Sequence, residues 1–176
     1  SHAAFGLECQ PLLLADDALA DVALVRAIAA QHQFRPIGPH YPGIRAAVSA
    51  DVAMPLVAPL LTAMRQLFAL ERDPQFHECF LSLTTLASAQ LAPIQRLPHF
   101  DGVERERIAV LLYLDPAERG GPSFFRQLAT GFESVDATRL ETYRQALASG
   151  VAEHGLPPPH YIGTGAPLFT RSHQVE

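Results

Sequence analysis

All 13 basic residues of the chain are arginine, and lysine is absent. Schiff-base chemistry on a lysine amine is therefore closed to this protein. The bias runs through the whole chain, so it reads as genome composition and not as the mark of a site. Acid outweighs base, with a net charge of -5 and a pI of about 5.9. The arginines are scattered, which argues against a general nucleic-acid surface, because phosphate binding draws on clustered cations. Only two cysteines occur, Cys9 and Cys79, too few and too distant for a disulfide framework or a four-cysteine zinc site. A reduced, cytoplasmic setting is the expectation. No run approaches the roughly 18 apolar residues that a membrane-spanning helix needs, and the first residues lack the charged and apolar regions of a signal peptide. Neither a membrane nor a nucleic acid is expected as a partner. Ser1-His2-Ala3 resembles a tag remnant, which leaves His2 without a role.

What is present is a hydrophobic fraction of 48% in 176 residues, enough for one substantial core and too little chain for two ordinary domains. A single domain over 1–176 is expected, with mainly helical support in 1–75 and a β core in 76–176. Leu19, Val22, Val25, Ile28 and Ala29 recur at helical spacing within Ala15–Gln33, with Asp16 or Asp17 placed to cap the first turn. Ser49–Leu70 repeats the pattern, although Pro55 and Pro59 must sit in a first turn or kink the helix. From Phe76 the period changes. Phe80–Leu86, Ile94–His99 and Ile108–Leu114 read as strands, and 134–149 reads as a helix stopped by Gly150. Short strands are expected at His160-Tyr161-Ile162 and Pro167-Leu168-Phe169. Helices first and antiparallel strands afterwards give an α+β order compatible with a jelly roll packed by N-terminal helices.

Chemistry concentrates in Leu97-Pro98-His99-Phe100-Asp101-Gly102. In an extended segment residues two apart share a face, so the His99 imidazole and the Asp101 carboxylate can converge on one ion. Two such ligands are two-thirds of the facial triad that holds non-haem Fe(II) with open positions. The competing reading is a turn in which Asp101-Gly102 ends a strand.

The flanks carry a resemblance. His99-Phe100-Asp101, an Arg-containing turn, the apolar run Ile108–Leu114 ending in Tyr113-Leu114, and Gly120-Gly121 before Phe124-Phe125 follow the order of the Fe(II)/2-oxoglutarate-dependent oxygenases, in their prolyl-hydroxylase-like branch. Tyr41-Pro42-Gly43 and the lead-in Gln95-Arg96-Leu97-Pro98 look similar to an uncharacterised subgroup. The resemblance implies a double-stranded β-helix, the metal pair His99 and Asp101, Fe(II) as cofactor and 2-oxoglutarate as co-substrate. It also implies hydroxylation of a small-molecule or peptide substrate. Tyr113 would hydrogen-bond the distal carboxylate of 2-oxoglutarate, or else be a rim tyrosine, and Gln95 would contact a ligand or support one. His173, after the run Gly165–Phe169, is the candidate third ligand, with His160 the weaker option. Three residues follow His173, so the closing strand and its basic residue are expected beyond Glu176. Two other classes stay open: a non-catalytic jelly-roll binding protein with an incomplete site, and a hydrolase using the same pair.

Overall fold

The computed structural model describes residues 1–115 and 120–175. The chain opens with a hairpin, β1 (His2–Phe5) and β2 (Gln10–Leu13), whose turn takes left-handed backbone at Gly6 and Cys9. The stretch resembling a tag is thus partly strand. Helix α1 spans Val22–Ala29, shorter than the periodicity suggests. Asp17 adopts a left-handed turn, and Asp21 supplies the cap instead, accepting from the Leu24 amide at 2.8 Å. That bond satisfies one of the first-turn donors that a helix leaves unpaired.

Strand β3 (Gly43–Ala47) is followed by α2 (Ala50–Val57), a 3-10 turn at Ala58–Leu60 and α3 (Leu61–Leu67). The two prolines decide this division. Pro55 cannot donate to the Asp51 carbonyl, and Pro59 opens the 3-10 turn, so one expected helix becomes two short ones. Ala53 and Met64 are the residues of this pair that are fully buried. Strand β4 (Phe80–Thr84) pairs antiparallel with β3, setting Arg45 opposite Ser82 and Gly43 opposite Thr84. A Cβ at position 43 would collide with the Leu83 carbonyl, so glycine is required there by close backbone approach.

Pro93 and Pro98 each remove a backbone donor from the stretch expected to form a strand at 94–99. It takes a 3-10 turn, Pro93–Arg96, instead. Arg96 then ties the segment down, donating to the carbonyls of Leu91 at 2.8 Å and Pro157 at 2.9 Å. Residues 108–115 form neither helix nor strand. A continuous apolar run becomes a strand only where a neighbour pairs with it, and here Val110, Leu111 and Leu112 are exposed.

Strand β5 (Ser123–Gln127) pairs antiparallel with β6 (Phe169–Gln174), with an irregularity between Phe124 and Phe125 that leaves Ser172 unpaired in the ladder. Helix α4 runs Leu140–His154. It starts later than expected because Asp136 forms a local turn, its carboxylate accepting from the amides of Thr138 and Arg139. It also passes through Gly150, whose missing side chain makes room for Leu168, and stops at Gly155, which has φ +81. Gln127, 2% exposed, fastens strand to helix: it donates to the Tyr143 carbonyl at 3.2 Å and accepts from Thr130. Residues 160–162 carry no strand.

The architecture is α+β, with three separate two-stranded antiparallel sheets and no closed barrel among the described residues. Two compact units share the chain. One contains residues 1–3, 11–86 and the segment from Leu112; the other contains 4–10, 87–111 and the C-terminal segment. No helix among the described residues is long and apolar enough to cross a membrane.

Candidate metal pair and the aromatic cleft beside it

The second unit holds His99 and Asp101. Between them the Phe100 ring, 38% exposed, meets Tyr143 edge-on, with centroids 5.5 Å apart at 84°. His99 Nε2 lies 3.7 Å from Asp101 Oδ1. Their side chains are 82% and 59% exposed. Donor atoms adjacent on one ion, each about 2.1 Å from it, lie roughly 3 Å apart, so a small rotamer change lets the pair chelate. One imidazole nitrogen and one carboxylate oxygen suit a divalent first-row metal. Among the described residues no group of three His, Cys, Asp or Glu side chains converges.

The other residues singled out from the sequence lie as follows. Gln95 turns back on its own 3-10 turn, its Oε1 accepting from the Ala92 amide at 2.8 Å. His173, on β6, stacks with Phe5 at 5.1 Å and with Phe124 at 6.2 Å, inside an aromatic cluster. His160 is exposed, its Nδ1 2.9 Å from the Tyr161 carbonyl. Tyr113 belongs to the first unit and is 60% exposed; partial burial pushes its phenol up. The structure brings His99 and Asp101 together and does not bring His173 into a group with them.

Beside His99 lies a cleft of about 70 Å³, walled by Pro98, Phe100, Phe132, Glu133 and Tyr143. That volume accommodates a few waters or a small group, and falls well short of the roughly 300 Å³ at which pockets for drug-sized ligands begin. A larger hollow of about 160 Å³ runs along α4 beside Pro167 and Leu168 and touches neither member of the pair. The smaller cleft is the relevant one because it contains His99.

A charged network holds the cleft's far wall. Glu8 accepts from the Ser134 amide at 3.1 Å, from the Ser134 hydroxyl, and from Arg139 Nη1 at 2.7 Å. In return the Glu8 amide donates to Glu133 Oε2 at 2.9 Å. Arg139 also lies over the Phe132 ring, 4.6 Å from its centroid. Burial works to raise the Glu8 carboxyl, but the hydrogen bonds from Ser134 and Arg139 and the arginine's charge win, and it sits below its ordinary value. Sequence reasoning missed this network. Glu8 lies more than 120 positions from its partners, in a turn without periodic pattern, and no local signal marks the contact.

No curated protein and no solved structure matches the chain. Over its whole length, residues 1–176, it matches a family of unknown function, DUF6445, and the chain belongs to that family.

Proposed function

We propose that this protein is an Fe(II)/2-oxoglutarate-dependent oxygenase that hydroxylates a small molecule or peptide, built on a double-stranded β-helix. One observation carries this reading: His99 and Asp101, flanked by the motif order described above, stand 3.7 Å apart at the surface with the donor set that a non-haem iron uses. Bound Fe(II) with 2-oxoglutarate and O₂ would supply hydroxylation of a C–H bond, with release of succinate and carbon dioxide. The chain's own contributions are more limited. His99 offers a neutral imidazole nitrogen and Asp101 a carboxylate. Phe100, between them, meets the Tyr143 ring edge-on, and the small aromatic cleft lies beside His99. Tyr113 keeps its proposed part as donor to the distal carboxylate of 2-oxoglutarate.

A second reading, a non-catalytic binding protein of the same fold, is favoured by the lack of a third converging ligand among the described residues. Succinate release from 2-oxoglutarate under Fe(II), ascorbate and O₂ separates the two. The oxygenase reading expects turnover in the wild type and at least a hundredfold loss in Asp101→Ala, about 2.7 kcal/mol of barrier. No turnover, or equal turnover in both proteins, overturns it.

A further inference from the structure

Away from the metal pair, the first unit contains an arrangement of charge with no internal explanation. Arg35 and Arg45 form an isolated antiparallel bridge in which each amide donates to the other's carbonyl, at 3.0 and 2.9 Å. Residues paired in this way lie directly opposite and project to the same face, and like charges in that position destabilise the pairing. Among the described residues neither guanidinium has a carboxylate partner. Arg45 is nevertheless held firmly. Its guanidinium lies 4.0 Å from the Tyr41 ring centroid and 5.3 Å from that of Phe80, and Tyr41 is itself fixed by a 3.2 Å hydrogen bond between its hydroxyl and Thr84 Oγ1. Its Nε is buried with no partner among the described residues. Ser82, opposite Arg45 in the ladder, puts an exposed hydroxyl on the same face.

We infer that this face is an oxyanion site whose ligand is the phosphate group of a phosphate monoester. A lone carboxylate brings one negative charge to two guanidinium groups, and its two oxygens would have to be shared between both forks. A terminal phosphate presents three oxygens and close to two negative charges, enough to engage both forks and the Ser82 hydroxyl together. Aromatic stacking on Arg45 limits the rotamer freedom that would be lost on binding, which is what a preorganised site requires. Repulsion between the two arginines, unfavourable in the free protein, is then relieved by the ligand.

Titration of the full-length protein with inorganic phosphate at low ionic strength, followed calorimetrically, tests this directly, with phenyl phosphate and succinate as comparison ligands. Phosphate and phenyl phosphate should bind at one site. Arg35→Gln and Arg45→Gln should each weaken that binding at least about tenfold. Arg45→Lys should weaken it comparably, because lysine keeps the charge but loses the fork. Arg35 is exposed, so its variant tests the site even if Arg45 variants fail to fold. Absence of binding, phosphate affinity unchanged in Arg35→Gln, or tighter binding of succinate than of phosphate through the same residues overturns the assignment. None of these readouts involves His99 or Asp101.

Discussion

Glu8 shows how a residue distant in sequence can hold a wall of the cleft beside His99. Its carboxylate accepts from Ser134 and Arg139, and through these bonds it holds the turn that walls the cleft beside His99. Because its folded pKa is depressed, its contribution to stability is present above the unfolded carboxylate value of about 4.3 and is lost as pH falls through the lower folded value. Removing the charge by Glu8→Gln should cost about 2 kcal/mol at neutral pH, since each hydrogen bond to a charged group contributes on that order. Urea midpoints measured from neutral to strongly acid pH should converge for wild type and variant at the acid end; parallel profiles would contradict the assigned role. Tyr113 offers a second test at this scale. Tyr113→Phe should raise the 2-oxoglutarate requirement about tenfold, the equivalent of one lost hydrogen bond, and leave metal affinity unchanged. An unaltered requirement would make Tyr113 a rim residue.

At the level of elements, close backbone approach and proline positions explain more than propensity does. Gly43 is the sharpest case: Gly43→Ala would drive a methyl group into the Leu83 carbonyl, and backbone cannot move aside as a flexible side chain can. A loss of about 3 kcal/mol in chemical denaturation is expected, and a change within about 0.5 kcal/mol, typical of neutral surface substitutions, would show that β3 and β4 do not pair in this register. The elements legible in the sequence were those whose pattern is local. The apolar spacing of Leu140, Tyr143 and Leu147 located α4, and the apolar residues of Phe80–Leu86 located β4. The run 108–114 was misread because strand formation depends on a partner, and no local pattern reveals whether one exists. Gly150 was misread as a stop because its need arises from Leu168, 18 positions away.

For the molecule as a whole, the α+β character was legible, since helices and antiparallel strands each leave a period in the sequence. His99 and Asp101, expected to share a face of a strand, lie 3.7 Å apart, although residues 97–103 form no strand. What lay outside sequence reasoning was long-range: His173 stacks on Phe5, and Glu8 bonds Arg139, contacts set by tertiary arrangement and not by neighbouring residues. Metal binding by His99 and Asp101 is measured most directly by anaerobic titration with Mn(II) or Fe(II). One site is expected, weakening as pH falls because a protonated imidazole has no lone pair to offer, and lost in the double variant His99→Ala/Asp101→Ala. Affinity unchanged in that variant, or no binding by the wild type, would contradict the account.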